Sequence, residues 1–129
     1  MFTQSYQNIL VGIDGSDQAM EAFKKALAVA KRNHGTVYVA NVIDHQVYTF
    51  MSYSPLNENI MDQLTADAKN LINECKAFGK EYGYNKIEGI IAYGSAKEAM
   101  ARTLPEKYDI DLVMVGQSGL NAVERFMTG

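Results

Sequence analysis

The chain has 129 residues, 12 basic against 15 acidic, giving a formal net charge of −3 with both histidines neutral; at 47% hydrophobic and 21% charged it has the balance of one ordinary globular domain, long enough to bury a core without staples. Its only cysteine, Cys75, excludes an intrachain disulfide and a cysteine-based zinc site and fits a reducing cytoplasm. No apolar run approaches the ~18 residues of a membrane span, the polar start from Met1 to Asn8 lacks the features of a signal peptide, and the mild acidity argues against a nucleic-acid binder.

Ile9-Leu10-Val11-Gly12-Ile13 is an almost continuous apolar run, the pattern of a strand buried on both faces. Asp14-Gly15-Ser16-Asp17 breaks it, and either Ser16 or Asp17 can cap the helix that follows. Ala19, Ala22, Phe23, Ala26, Leu27 and Ala30 then recur along one helical face. Lys31, Arg32 and His34 occupy the last turn, with Gly35 just beyond. Thr36 to Ile43 is rich in β-branched and aromatic residues and reads as a second strand. Residues 44–57 have no clear period and contain Pro55, which predicts a long surface loop. Ile60, Leu64, Ala68, Leu71, Cys75, Phe78 and Tyr82 are spaced by threes and fours, a long helix that Gly83 ends. Lys86 to Ala92 is a weaker third strand. Gly94-Ser95 makes the next turn, and Ser95 with Glu98 has the form of a capping box. The short helix after it runs to about Lys107 unless Pro105 stops it sooner. Ile110 to Val115 is the fourth strand, and Gln117 to Gly129 begins as a glycine-flanked loop and continues as a mixed polar and apolar stretch.

Strands alternating with helices predict a single α/β domain over residues 1–129, an open parallel sheet with helices on both faces and right-handed crossovers. Ligands of such sheets bind at the carboxyl ends of strands, where the winding reverses. Two strand ends carry suitable residues. Asp14 follows the first strand, where a carboxylate can accept from a ligand hydroxyl or amine; Asp-Gly-Ser is equally good turn chemistry. Gly116-Gln117-Ser118-Gly119 follows the fourth. Its glycines permit close backbone approach and can form an anion-binding concavity, or a plain loop. Gly129 extends the spacing to Gly-x-x-Gly-x9-Gly, a much more specific pattern.

These segments together resemble the universal stress protein family. The resemblance is carried by Ile9 to Ser16, by Asn41-Val42-Ile43-Asp44, more loosely by Gly94-Ser95-Ala96, and most strongly by Asp111 to Leu120 followed by Gly129. It spans nearly the whole chain in the family's order, and the glycine pattern is that of the ATP-binding branch. The resemblance implies a Rossmann-like sheet of the adenine nucleotide alpha hydrolase type, in the order 3-2-1-4 with a fifth strand after it. It implies that Asp14 contacts the ribose or adenine edge, that Gly12 and Ile13 border that pocket, and that Val42 packs beside the adenine. Val115 and Gly116 would flank the ribose, and Gly116, Gly119 and Gly129 would let backbone amides reach the phosphates. The implied ligand is ATP, with or without Mg2+, or AMP or another adenine nucleotide. The implied state is a cytoplasmic homodimer that binds neither nucleic acid nor membrane.

The family pattern continues past its last glycine with Ser or Thr, a helix and a fifth strand. The sequence ends at Gly129, so the fifth strand is expected to be absent and the fourth to be an open edge. The natural product is expected to continue by roughly one helix and one strand, ~20 residues. No Walker motif and no Ser-His-Asp or Cys-His arrangement is present. The leading expectation is therefore a nucleotide-binding stress-response or regulatory module. A slow ATPase or phosphotransferase using the same pocket, and a protein-interaction module with an empty pocket, are the alternatives. His34 reads as a helix-capping residue. His45 has no companion at metal-ligand spacing. Tyr48, Phe50 and Tyr53 read as a self-packing loop, Arg125 as solvated rather than phosphate-bound, and the seven methionines as core fillers.

Overall fold

The computed structural model describes residues 6–44, 58–116 and 123–127. Strand β1 (Asn8–Gly12) alternates its side chains between two covered faces, with Ile9 and Val11 on one and Leu10 on the other. All three are fully buried, which is why the run shows no polar alternation. β1 pairs in parallel with both β2 (Thr36–Ile43) and β4 (Leu112–Gly116), and β2 pairs in parallel with β3 (Ile87–Tyr93). The parallel strands therefore lie in the order 3-2-1-4.

Helices α1 (Asp17–Asn33) and α2 (Glu58–Tyr82) cover the Ile9–Val11 face. Phe23 of α1 meets Phe78 of α2 edge to face, with ring centroids 6.0 Å apart. A third helix, α3, covers the Leu10 face through Ala99 and Leu104, against Ala40, Ile90 and Val113. It is built from Ala96–Glu98, a π-helical turn over Ala99–Thr103, and Leu104–Lys107. Pro105 does not stop it. Proline lacks an N–H and crowds the carbonyl four residues back, and the chain accommodates this by widening the preceding turn and continuing to Lys107. Ser95 caps α3 by accepting from Glu98 N–H at 3.3 Å. The Glu98 carboxylate does not complete the expected box with Ser95; it pairs forward with Arg102.

The fifth strand corrects the expectation of an open edge. β5 (Val123–Met127) pairs antiparallel with β4 from Leu112 opposite Met127 to Gly116 opposite Val123. An antiparallel neighbour needs only a short connection, whereas a parallel one needs a crossover of a dozen residues or more. The six residues between Gly116 and Val123 are enough for the former and too few for the latter. The other strand order and the helices on both faces are as the sequence led us to expect. The predicted loop at 44–57 lies, beyond Asp44, outside the described residues, as do His45, Tyr48, Phe50 and Tyr53.

The amino end of β4 is latched to β1. Asp111 Oδ2 accepts from the N–H groups of Gln7 and Asn8, each at 2.8 Å, and Asp111 N–H donates to the Asn8 carbonyl at 2.8 Å. At the end of α1, His34 adopts the left-handed conformation (φ 57°) and donates its N–H to Ala30. The expected terminal glycine, Gly35, serves a different need, since a Cβ there would lie 2.5 Å from the Gln7 carbonyl oxygen. Left-handed backbone disfavours a residue with a Cβ. His34→Gly is therefore expected to stabilise the fold by about 0.5–1 kcal/mol; an unchanged or lower Tm in a thermal melt refutes it.

Candidate functional site

β1 ends at Gly12, and the chain stays tied to β2 for one more residue, with Ile13 N–H donating to Ala40 carbonyl at 2.8 Å. The Asn41 amide donates to the Ile13 carbonyl, also at 2.8 Å. Those two bonds fix where Asp14 leaves the sheet. Asp14 is exposed, and its Oδ1 accepts from Ser16 N–H at 2.9 Å. The turn reading of Asp14 is thus realised, and the same bond orients the carboxylate at the sheet's carboxyl edge. Ser16, not Asp17, caps α1, its Oγ accepting from Ala19 N–H at 3.1 Å.

From the far side β4 brings Val115 and Gly116. Gly116 packs against the first turn of α1: a Cβ on it would lie 2.4 Å from the Gln18 carbonyl carbon and oxygen and 2.7 Å from Ala19 N. The glycine is required by this approach irrespective of any ligand. The amino end of α1, the positive end of its dipole, therefore borders the crevice between β1 and β4.

That crevice is a cleft of about 180 Å³, lined by Gly12, Ile13, Asp14, Val42, Val115 and Gly116 among others. Six of the eight residues singled out from the sequence thus meet at the winding reversal; Gly119 and Gly129 lie outside the described residues. Ala19, Ala40, Asn41, Ala96 and Met100 complete the lining. Of these, Asn41 carried a legible signal as a polar residue inside a strand, whereas Met100 had only the look of helical core. A second cavity of about 460 Å³ adjoins the first, sharing Asp14, Asn41, Val42 and Ala96 and reaching Leu64, Asp67 and Leu71 of α2. No lysine or arginine lines either cavity among the described residues.

Among the described residues no group of three or more His, Cys, Asp and Glu is placed to hold a metal, and no helix is long and apolar enough to cross a membrane. Cys75, on the inner face of α2, is fully buried, and burial, with Glu74 adding to it, pushes its thiol up to about 11.

Four parallel strands wound in both directions, with a cleft at the reversal, define a doubly wound α/β domain. The chain belongs to the universal stress protein family, whose profile matches residues 5–129. A protein of Staphylococcus aureus (strain USA300) that carries a universal stress protein name is 38% identical over 125 residues, covering 97% of this chain and 74% of the relative. Among solved structures, a universal stress protein from Lactobacillus plantarum superposes with a TM-score of 0.75 at 23% identity, over 95% of this chain and 88% of its own. Another universal stress protein, solved in complex with cAMP, gives a TM-score of 0.69 at 23% identity, over 92% of this chain and 78% of its own. Those two likenesses establish the fold.

Proposed function

We propose that this universal stress protein is a regulatory module that binds an adenine nucleotide, ATP foremost, across the carboxyl ends of β1 and β4. The observation that carries the reading is convergence. Residues from three separated segments, Gly12 to Asp14, Val42, and Val115 with Gly116, line one cleft at the winding reversal. Asp14 offers a carboxylate to ribose hydroxyls or to the edge of a base, and Val42 and Val115 offer apolar surface to a base or sugar. The phosphates would meet backbone N–H groups of the Gly116–Gly129 motif, and Mg2+ would enter on those phosphates. The cAMP complex of a structural relative supports an adenine nucleotide as the ligand class. The reading is of binding that alters the module's state rather than of turnover. Cytoplasmic residence and a homodimer belong to the same proposal.

Purified protein should release an adenine nucleotide on denaturation, identified by mass spectrometry, and should bind ATP in calorimetry. Asp14→Ala is expected to weaken adenosine and ATP alike, by about tenfold or ~1.4 kcal/mol. Asp14→Asn keeps an acceptor for Ser16 N–H and separates loss of the charge from loss of the turn. A loss confined to ATP would place Asp14 beside the phosphates instead. Absence of any ATP binding by the wild type would remove the proposal.

A further inference from the structure

We propose that Met100 is the specificity-determining wall of the cleft, setting the size of the aromatic group admitted beside β1. The inference rests on the nucleotide-binding reading and adds to it a residue that reads the base. Met100 is half-buried and packs on its inner side against the core of the Leu10 face. Its tip lies over Gly12 at the edge of the cleft, which both residues line: a Cβ on Gly12 would lie 3.2 Å from Met100 Cε and 3.6 Å from Sδ. Gly12 leaves a notch at the end of β1, and the thioether fills it.

The backbone that delivers Met100 is unusual as well. It belongs to the π-helical turn Ala99–Thr103, whose wide hydrogen bond runs from Leu104 N–H to the Ala99 carbonyl. Such turns inside helices are frequent at functional sites. Size then decides what Met100 does. The cleft, about 180 Å³, adjoins the cavity of about 460 Å³ through Asp14, Asn41, Val42 and Ala96, and Met100 borders only the smaller of the two. The other apolar lining side chains are short or stiff: Ala19, Ala40 and Ala96 have no rotamers, and Ile13, Val42 and Val115 are β-branched. Met100 is unbranched and can change the cleft's volume by rotation without moving a strand. A thioether is also a favourable neighbour for the face or edge of a π-system, and a purine is one. Met100 therefore occupies the notch when the site is empty and turns to border the base when it is filled.

The test compares ATP with 1,N6-etheno-ATP, whose base carries an additional fused ring, by calorimetry on wild type, Met100→Ala and Met100→Leu. Met100→Ala is expected to shift the ratio of affinities toward the larger base by tenfold or more, and Met100→Leu to keep the wild-type ratio. ATP binding by wild type with an unchanged ratio in Met100→Ala overturns the role of Met100 and leaves the nucleotide reading standing. Failure of all three proteins to bind either probe overturns both. Etheno-ATP binding by Met100→Ala alone supports the wall and overturns the wild type as a nucleotide binder. A readout that needs no folded alanine variant is the Met100 methyl resonance in 13C-methionine-labelled wild type, assigned through Met100→Leu. Saturating ATP should shift it, and a resonance that stays in place overturns the proposal.

Discussion

Gly116→Ala is expected to destabilise the fold by about 3 kcal/mol or more, in the absence of any ligand. The added Cβ would sit 2.4 Å from backbone atoms of Gln18, and backbone cannot step aside as a flexible side chain can. Either β4 or the first turn of α1 must move, and both are packed on the central strand. A thermal melt without nucleotide should show Tm lowered by roughly 10 °C for a domain of this size. Gly116→Val should be worse still, so loss of ATP binding in either variant would not by itself assign Gly116 to phosphate recognition. An unchanged Tm would mean that α1 and β4 do not approach this closely.

The second large effect is a loss of stability in alkali traced to Cys75. Its thiol ordinarily ionises near 9.0 and is pushed up to about 11, because burial disfavours the thiolate and Glu74 repels it. Between those values the unfolded chain gives up the proton while the folded chain keeps it. The folded state then binds more protons than the unfolded, so stability falls as pH rises through this window and is fully present below it. The two limits imply a loss of about 2 kcal/mol by pH 11. Tyr84, which donates its hydroxyl to the Gly35 carbonyl, is likewise pushed up by burial. The measurement is therefore a difference: denaturant midpoints at pH 8 and pH 10.5 for wild type and for Cys75→Ala. A smaller pH effect in the variant is expected, and equal slopes in the two proteins would refute the assignment.

Much of the fold was legible because its strongest signals are local and mutually consistent. Ile9 to Val11 is apolar without a break because both faces of β1 are covered, and the α1 face from Ala19 to Ala30 repeats with the helix. The six site residues that meet in the cleft flank strand ends, where turn residues and glycines stand out against apolar runs. Other features depend on contacts distant in sequence. Val123-Glu124-Arg125-Phe126-Met127 mixes charges into a short run, a composition tolerated at a sheet edge but indistinguishable from loop without knowledge of β4. The π turn depends on how Pro105 is accommodated, which periodicity does not reveal. Met100 falls at helical spacing and is read as filler; only the notch at Gly12 gives its position a different meaning. Gly35 looked like a helix terminator, yet its approach to Gln7 is what excludes a side chain, and His34 takes the left-handed position instead.

The Asp111 latch has a consequence for how the crevice can respond to a ligand. With one carboxylate oxygen gripping two successive amides at the start of β1, and the Asp111 amide returning to Asn8, the amino ends of β1 and β4 are riveted together. At their carboxyl ends the pairing stops at Val11 opposite Met114, and Gly12, Val115 and Gly116 beyond it line the cleft. The pair is thus shaped like tweezers, joined at the base and parted at the tips. Whatever occupies the tips can alter their separation without slipping the register of the sheet, because the pivot is held by side-chain chemistry as well as by the ladder. Amide exchange at Gln7 and Asn8 should accordingly be slow and indifferent to ligand, while any ligand-dependent protection gathers at Ile13, Asp14 and Gly116.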